Sequence, residues 1–236
     1  MATVMITGVS SGLGFGLAKR ALESGWSVLG LSRRTPDALI QHPLFRFVAV
    51  DLAQRAATME AVTSLIRATA HLDLVLLNAG ILGEIADMRQ QSQETLEEVM
   101  TVNVWANKSV LDALIDADIS MDQVVAISSG AAVNGNRGWG GYSISKAALN
   151  MMIRLYAWEL PDTHVTALAP GLIRTDMTEH LMNEVDTEQF TSANALRLAQ
   201  REGRMPEPEQ AADLLLASFD RLRRYESGSF LDIRSL

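Results

Sequence analysis

Short apolar segments alternate with segments of helical pattern along the whole 236-residue chain. The apolar segments predict strands near 3–7, 26–31, 46–50, 73–77, 122–128, 164–169 and 229–232. The clearest helical patterns lie near 14–24, 54–70, 93–115, 142–160 and 207–222. This alternation predicts an α/β fold: a doubly wound, mostly parallel sheet of about seven strands with helices on both faces and right-handed crossovers. Ligands of such sheets bind beyond the carboxyl ends of the strands.

The composition is typical of a cytoplasmic protein with one domain. Apolar residues make up 48% of the chain, and no linker, repeat or low-complexity tract interrupts it. A net charge of −8 argues against nucleic acid or an anionic membrane as the main partner. The absence of cysteine excludes disulfides and thiolate metal sites, and the four histidines show no ligand spacing, so we predict no metal. Because we find no basic and apolar leader and no run of ~18 apolar residues, we expect a cytoplasmic location.

A glycine-rich turn separates the first predicted strand from the first predicted helix. The strand ends at Ile6, and the sequence TGVSSGLG follows at positions 7–14. Glycines let a backbone approach a ligand closely, and the free N–H groups of a helix N-terminus attract negative charge. The turn therefore predicts a pyrophosphate site; the alternative is a plain strand-to-helix connection made of small residues. The predicted contact residues are Gly8, Ser10, Ser11, Gly12, Leu13 and Gly14.

Tyr142 and Lys146 lie four residues apart in the segment YSISK. On a helix this spacing places the phenol and the ammonium on the same face. An ammonium near a phenol lowers the pKa of the phenol, which is about 10 when unperturbed, and makes the tyrosine a usable proton donor or acceptor. The alternative is a half-buried tyrosine beside a solvated lysine.

The Gly-x-x-x-Gly-x-Gly spacing of the turn, taken with Tyr-x-x-x-Lys, resembles the short-chain dehydrogenase/reductase family in its compact single-domain form. The resemblance covers essentially the whole chain, because further motifs follow in the family's order: Asp51-Leu52, Asn78-Ala79-Gly80, Asn103, Ser128-Ser129 and Pro170 to Thr175. It implies one Rossmann-fold domain over 1–236, with a cofactor-binding N-terminal part and a catalytic C-terminal part. It also implies a substrate lid over about 177–203.

The resemblance further implies a catalytic group of Ser129, Tyr142, Lys146 and Asn103. Tyr142 is the expected general acid in reduction and general base in oxidation, and Lys146 is expected to bond the nicotinamide ribose as well. Family members place the substrate-holding serine 13 positions before the tyrosine, which selects Ser129 and leaves Ser128 as a strand-end residue with a local backbone bond. Asn103 is expected to hold a water that relays protons to the lysine; the alternative is an amide bonded to neighbouring backbone.

The end of the second predicted strand indicates which nicotinamide cofactor is bound. Ser32 stands where NAD-selective sheets have an acid that accepts a hydrogen bond from the ribose 2′-hydroxyl, and Arg33 follows it. A guanidinium suits a 2′-phosphate, so we predict NADP(H) over NAD(H). Many NADP-preferring relatives have a second basic residue where this chain has Ser11, which leaves use of NAD(H) open. The alternative is that Arg33 and Arg34 form only a solvated corner.

The remaining cofactor contacts are implied by the resemblance alone. Asp51 is expected at the adenine, Asn78 and Gly80 at the adenosine ribose, and Thr175 at the nicotinamide carboxamide. The other expected contacts are Leu52, Ala79, Tyr142, Lys146, Pro170, Gly171 and Ile173.

Two segments are expected to face the substrate. Residues 130–141 are rich in glycine and predict a mobile loop that grips ligands with Asn136, Arg137 and Trp139; the alternative is an ordinary connection. The expected lid mixes polar and apolar residues, which indicates an amphipathic flap over a ketone, diketone or aldehyde of modest polarity; the alternative is a surface helical hairpin. Its apolar residues are Met177, Leu181, Met182, Phe190 and Leu196.

These predictions describe an NADPH-dependent oxidoreductase that transfers a hydride between nicotinamide and a ketone, aldehyde or secondary alcohol. The alternative is a catalytically inactive NAD(P)-binding regulatory protein of the same fold. An epimerase or dehydratase would usually come with a longer chain and an additional substrate domain. Relatives often pair through helices that here lie near 93–115 and 142–160, so we expect a homodimer or homotetramer. Residues 228–234 depart from the family's usual ending, which leaves both open.

Overall fold

The computed structural model describes residues 1–183, 185–186 and 188–236. The strands in these residues are β1 (Thr3–Thr7), β2 (Ser27–Ser32), β3 (Phe45–Ala49), β4 (His71–Leu72), β5 (Leu74–Leu77), β6 (Ser120–Met121), β7 (Gln123–Ile127), β8 (His164–Ala169) and β9 (Phe230–Asp232). Seven of them form one sheet in the order β3-β2-β1-β5-β7-β8-β9, and every neighbouring pair is parallel. β4 and β6 form a separate parallel pair.

Helices cover both faces of this sheet. They are α1 (Gly12–Glu23), α2 (Arg55–Ile66), α3 (Gln93–Met100), α4 (Ala106–Asp116), α5 (Gly140–Glu159), α6 (Asp176–Asn183), α7 (Thr191–Arg201) and α8 (Pro208–Leu222). One apolar core lies between the sheet and α1 with α8, and a second lies between the sheet and α2, α4 and α5. Among the described residues, no helix has the length and apolar character needed to span a membrane.

Successive side chains of the central strands belong alternately to the two cores. Val4 and Ile6 of β1 point to α1 and α8, whereas Met5 points to the opposite core, as the period of two in a strand requires. All three side chains are fully buried. A strand that is covered on both faces buries every side chain, so its sequence is a nearly continuous apolar run. The predicted doubly wound α/β fold is confirmed.

The predicted helix over 93–115 is not continuous in the structure. A π-helical segment, Thr101–Trp105, separates α3 from α4. Such segments widen one turn of a helix and are frequent at functional sites. Asn103 lies in this segment and is fully buried. The apolar pattern continues through the segment, which is why the sequence predicts one regular helix here.

Other differences from the predicted elements are local. α2 ends at Ile66 rather than near residue 70, because the backbone N–H of Thr69 bonds the Ile66 carbonyl in a turn that leads into β4. The pair β4 and β6 was not predicted. α6 and α7 lie in the range predicted as a lid; Glu184 and Thr187, which belong to that range, lie outside the described residues.

The strand order reverses next to β1, which pairs with β2 on one side and β5 on the other. Doubly wound sheets bind ligands at this position, because the connections after the two neighbouring strands lead to opposite faces and leave a crevice. Gly8 follows β1 and Asn78 follows β5, so both predicted cofactor residues border this crevice.

Candidate active site

A cleft of about 490 Å³ opens along the carboxyl edge of the sheet. Nearly all the predicted site residues line it, although they come from many separate segments of the chain. They are Gly8, Ser10, Ser11, Gly12, Leu13, Ser32, Arg33, Asp51, Leu52, Asn78, Ala79, Gly80, Ser129, Tyr142, Lys146, Pro170, Gly171, Ile173 and Thr175. The predicted residues Gly14 and Asn103 do not line the cleft.

The glycine turn brings α1 very close to the end of β1. Gly8 has a φ of +79° and Gly12 a φ of +56°, which glycine adopts without strain. A Cβ added at Gly14 would overlap the Gly8 carbonyl oxygen and the side-chain nitrogen of Asn78. Gly14 therefore acts from behind the cleft, by allowing the helix and the turn to pack at backbone distance.

The N-terminus of α1 has no cap of its own. Ser11 occupies the capping position, but its side chain accepts no bond from the first turn, and that turn has no acidic residue. The first N–H groups of the helix are thus free for a ligand, and the helix dipole favours negative charge there. A pyrophosphate fits this turn in both charge and space.

Thr7 and Asn78 connect this turn to the end of β5. The Thr7 hydroxyl oxygen accepts from the backbone N–H groups of Asn78 at 2.9 Å and Ala79 at 3.0 Å. The Asn78 side chain donates to the carbonyl of Thr7 at 2.9 Å. The Asn78 amide thus holds the turn together, beside its predicted contact with the ribose. Sequence reasoning missed Thr7; a threonine at the strand end, directly before the first glycine, is the signal for it.

Two arginines lie at the adenosine end of the cleft. Arg33 is exposed and forms no hydrogen bond or ion pair with the described residues. Arg34 lies with Nη2 3.4 Å from the Ser11 hydroxyl oxygen, and its carbonyl accepts from the Ser32 hydroxyl at 2.8 Å. Sequence reasoning treated Arg34 only as part of a solvated corner, whereas the structure places it against the glycine turn. Asp51 is exposed at the same end and its carboxylate accepts from the Ala53 N–H.

Tyr142 and Lys146 lie one turn apart near the start of α5, and both are buried. Lys146 donates to the carbonyl of Ile127 at 2.7 Å, and its Nζ lies 5.6 Å from the centre of the Tyr142 ring. The Ser129 side chain lies beside the Tyr142 hydroxyl, close enough to affect its pKa. Three of the four predicted catalytic residues, Ser129, Tyr142 and Lys146, thus line the cleft together.

The pKa values of this group are governed by burial. Burial raises the pKa of the Tyr142 phenol, and the hydrogen bond with Ser129 acts in the opposite direction. Burial also lowers the pKa of Lys146 to about 8. The expected lowering of the tyrosine pKa by Lys146 is therefore not what the structure shows, because the lysine is bonded to a carbonyl and the phenol has lost its water.

Asn103 holds the neighbouring loop rather than facing the cleft. Its Oδ1 accepts from the N–H of Ile81 at 2.8 Å, and its Nδ2 donates to the Ile81 carbonyl and to the hydroxyl of Ser145, both at 2.9 Å. The Asn103 carbonyl accepts from Asn107. The Asn103 side chain is therefore an amide bonded to neighbouring backbone, as in the alternative given for it above. A relay of protons through a water held by Asn103 stays a prediction.

Ser128 has a different partner from the one predicted. Its hydroxyl donates to the side-chain oxygen of Asn150 on α5 at 2.6 Å, instead of to local backbone. The Ser129 hydroxyl oxygen instead accepts from the N–H of Ala131 at 3.1 Å, at the start of the connection to α5.

The loop after β8 closes the cleft on its other side. Gly171 has a φ of +81°, and Thr175 approaches the glycine turn so closely that a Cβ at Gly12 would lie 3.4 Å from its methyl group. The backbone N–H of Thr175 donates to the Thr178 hydroxyl at 2.8 Å, and Thr175 lines the cleft. The predicted nicotinamide contact Thr175 therefore lies beside the predicted pyrophosphate site.

Side-chain contacts anchor residues 130–141, the loop that was predicted to be mobile. Arg137 donates two hydrogen bonds of 2.6 Å to the Asp87 carboxylate. The Trp139 indole N–H donates to the Ser192 hydroxyl on α7 at 2.6 Å, and its ring centre lies 5.9 Å from that of Tyr142. The lid helices thus pack against this loop and bring apolar walls to the cleft. Those walls include Trp139, Leu172, Met177, Leu181 and Leu196.

One histidine lies near two carboxylates outside the cleft. His71 Nε2 is 3.7 Å from Asp122 and 3.9 Å from Asp73, and the imidazole's other nitrogen bonds Ser120. All three residues of this group are at least partly exposed at the opposite edge of the sheet. Histidine spacing along the sequence does not indicate this group; the prediction that no metal is bound stays a prediction.

Comparison with known proteins gives a consistent result. A family model described as short chain dehydrogenase matches residues 2–186. Sepiapterin reductase from Bos taurus is 32% identical, over 97% of this chain and 92% of its own length. Benzil reductase ((S)-benzoin forming) from Bacillus subtilis is 28% identical over 99% of both chains. Among solved structures, a short-chain dehydrogenase/reductase from Saccharomyces cerevisiae has the same fold, with a TM-score of 0.86, 20% identity and coverage of 99% and 96%.

Proposed function

The chain belongs to the short-chain dehydrogenase family of NAD(P)-dependent dehydrogenases and reductases, and we propose on that premise that it is an NADPH-dependent carbonyl reductase. One observation carries the proposal: the Tyr142 hydroxyl meets Ser129, with Lys146 one turn further on, in the same cleft as the free N-terminus of α1. Binding alone does not require a proton donor next to a second hydroxyl at this place.

Arg33 and Arg34 support the preference for NADPH. A free guanidinium at the rim and a second one against Ser11 offer two cations, and Ser32 stands at the position where NAD-selective sheets have a carboxylate that would repel a 2′-phosphate. The N–H groups at the start of α1 would hold the pyrophosphate, and Lys146 the nicotinamide ribose. NAD(H) stays the alternative cofactor.

Tyr142 is the proposed proton donor. When bound, the cofactor supplies the hydride that reaches the carbonyl carbon. The Tyr142 O–H then gives its proton to the carbonyl oxygen, and the Ser129 hydroxyl donates a hydrogen bond to the same oxygen. A raised pKa keeps Tyr142 protonated near neutral pH, which suits reduction; oxidation of an alcohol needs the phenolate and is favoured at higher pH.

Asn103 is proposed as a positioning residue in this scheme. It holds the Ile81 backbone and the Ser145 hydroxyl, and Ser145 lies between Tyr142 and Lys146 in the helix. A Cβ at Gly80 would lie 3.1 Å from Asn103 Oδ1 and 3.5 Å from Lys146 Nζ, so Gly80 lets the amide and the ammonium approach each other.

The substrate is proposed to be a neutral ketone or aldehyde of low polarity. The described walls near Tyr142 are apolar, and Trp139 offers a flat aromatic surface 5.9 Å from the tyrosine ring. The names of two relatives, which describe reduction of benzil and of sepiapterin, support carbonyl reduction. A lid formed by α6 and α7 would exclude water from the proton transfer.

A homodimer or homotetramer is proposed as the assembly. α5 exposes a stripe of apolar side chains at intervals of about one or two turns, which supports pairing through this helix. They are Ile144, Met151, Leu155 and Trp158. A functional unit that spans 1–236, a cytoplasmic location and the absence of a nucleic-acid partner stay predictions.

The first test is a fluorescence titration of the protein with NADPH and, separately, with NADH. We expect tighter NADPH binding that Arg33→Ala weakens about 10- to 100-fold, the loss expected for hydrogen bonds to a charged group, with little change for NADH. Arg224→Ala is the matched control, because Arg224 is exposed and does not line the cleft. If the wild type bound NADPH and NADH with equal affinity, and Arg33→Ala did the same, the NADPH preference would be refuted.

Turnover is tested with Tyr142→Phe on any neutral ketone that the wild type reduces. Loss of the proton donor is expected to lower kcat about 10²- to 10⁴-fold while NADPH binding stays near normal. Tyr225→Phe, at an exposed tyrosine, is the control. Cofactor binding without turnover of any carbonyl in the wild type would instead support the regulatory alternative.

A further inference from the structure

Gln91 is a buried glutamine in the loop before α3, between the exposed residues Gln90 and Gln93. It does not line the cleft, so it is not placed to bind cofactor or substrate there directly. Long polar side chains are seldom buried unless their hydrogen bonds are satisfied. The hydrogen-bond partners of the Gln91 amide therefore indicate why a glutamine occupies this position.

The Gln91 amide is saturated by backbone groups of two segments. Its Nε2 lies 3.0 Å from the carbonyl of Ala86, 3.3 Å from that of Glu84 and 3.4 Å from that of Gly138. Its Oε1 accepts from the backbone N–H of Gly141 at 3.0 Å. This pattern determines the orientation of the amide, because a flipped amide would place oxygen against three carbonyls.

The Gly141 bond caps a helix that has no cap of its own. α5 begins at Gly140, and no side chain at its start accepts a bond from the first turn. Gln91 supplies that acceptor from a segment 50 residues away in the chain. The first N–H groups of a helix need such partners, and a cap also determines where the first turn lies.

Gly140 and Gly141 allow the Gln91 segment to reach the helix. A Cβ at Gly140 would overlap the sulfur of Met88, and one at Gly141 would lie 2.9 Å from Leu96 and 3.3 Å from Gln91 Oε1. The residue after these two glycines is Tyr142. The bonds of Gln91 therefore act on the backbone immediately before the proposed proton donor.

We propose that Gln91 is a positioning residue for Tyr142: by capping α5 and joining it to the 84–86 segment, it holds the phenol against Ser129. The inference rests on the proposed role of Tyr142 in proton transfer. It predicts that loss of the cap lowers the rate of the chemical step and leaves cofactor affinity unchanged.

The test compares Gln91→Met, which keeps the length of the side chain and removes all four bonds, with Gln93→Met. Gln93 is exposed on α3, and among the described residues its side chain bonds only the surface residue Glu97. For Gln91→Met we expect kcat to fall about 10- to 100-fold, the effect of a misplacement of ~1 Å, with KM and the NADPH Kd within about twofold of wild type. Gln93→Met is expected to match the wild type in all three.

Two readouts separate positioning from loss of fold. The apparent pKa of alcohol oxidation is expected to rise in Gln91→Met, because a displaced phenol loses the interaction with Ser129 that lowers its pKa. Lys146, the charged group at the Tyr142 ring, stays in place. Amide hydrogen exchange of peptides within 138–145 is expected to be faster in Gln91→Met only. Gln91→Glu should be more active at pH 5.5 than at pH 8, relative to wild type, since a protonated carboxyl regains one donor.

The proposal is overturned if folded Gln91→Met keeps the wild-type kcat and exchange, or if NADPH affinity falls as much as kcat does. If Gln91→Met is insoluble, Gln91→Asn, with the same amide one methylene shorter, replaces it with the same expected direction. If the wild type reduces no carbonyl, the proposed function fails, while the exchange rates still decide whether Gln91 caps α5.

Discussion

Ser128 and Ser129 are adjacent in the chain, but their hydroxyls have different environments. Ser128 bonds the Asn150 side chain, whereas Ser129 meets the hydroxyl of Tyr142. Successive side chains of an extended segment point to opposite sides, so only one of the two serines is able to face a substrate oxygen beside the tyrosine. The pair therefore offers a matched comparison within one segment.

Ser129→Ala is expected to lower kcat about 10²- to 10³-fold, the usual loss for one hydrogen-bond donor to a developing oxyanion. It should also raise the apparent pKa seen in alcohol oxidation, because the Ser129 bond lowers the Tyr142 pKa. Ser128→Ala should leave that pKa unchanged and reduce stability by about 1 kcal/mol through the lost bond to Asn150. pH–rate profiles of the two variants decide the assignment, and a larger effect on the profile from Ser128→Ala would reverse it.

The buried ammonium of Lys146 makes stability depend on pH. Its pKa is about 8 in the folded protein and 10.5 as the ordinary value, so between these limits the unfolded chain binds a proton that the folded chain releases. Stability therefore rises with pH through this window, by at most about 3 kcal/mol. Above about pH 10 the raised pKa of Tyr142 acts in the opposite direction, since the unfolded chain ionises first.

Urea denaturation of the protein between pH 7.5 and 9.5 measures this effect. Lys146→Met should show a flatter dependence than the wild type over the same range. Lys19→Met is the control, because Lys19 is partly exposed and pairs with Glu209 on the surface. Parallel curves for wild type and Lys146→Met would show that the ammonium retains its ordinary pKa.

α1 and α5 both begin at the site, but a side chain caps the N-terminus of α5 only. α1 has no side-chain cap, so its free N–H groups are available to an anion. α5 is capped by Gln91, so its first turn is tied to protein instead. The same feature of helix geometry thus supports binding in one element and alignment of Tyr142 in the other.

Gly14→Ala tests the close approach of α1 to the end of β1. The added methyl would overlap the Gly8 carbonyl oxygen, so we expect a loss of stability of about 1–3 kcal/mol from overpacking and weaker NADPH binding, because the turn must shift. Gly135→Ala is the control, since a Cβ there meets none of the described residues within 4 Å and its φ is not positive. Denaturation curves and NADPH titrations of both variants provide the measurement; equal behaviour would mean that the turn has room to adjust.

On the surface of the whole molecule, α5 exposes several large apolar side chains along one helix. Trp158 on α5 is 81% exposed, and the apolar residues Leu155 and Met151 lie on the same helix. A stripe of this kind on a monomer usually marks a contact with another chain. The stripe lies on α5, the helix that carries Tyr142, so the proposed assembly would involve that helix.

Light scattering after size exclusion is expected to show a dimer or tetramer for the wild type. Leu155→Glu should shift the protein towards smaller species, because a charge at an apolar interface lacks a partner. Leu214→Glu, at an exposed apolar residue on α8, should not. A wild type that stays monomeric at high concentration would refute the proposed assembly.

The sequence by itself determined the seven strands of the main sheet, the glycine turn and the same-face placement of Tyr142 and Lys146. Each of these depends on residues close together in the chain, whose periodicity and turn chemistry are local. Only the tertiary structure decided that Asn103 holds Ile81, that Arg34 reaches Ser11, that burial raises the pKa of Tyr142, and that Gln91 caps α5. These contacts join residues that are distant in sequence, and burial and hydrogen bonding arise only when the packed sheet brings them together.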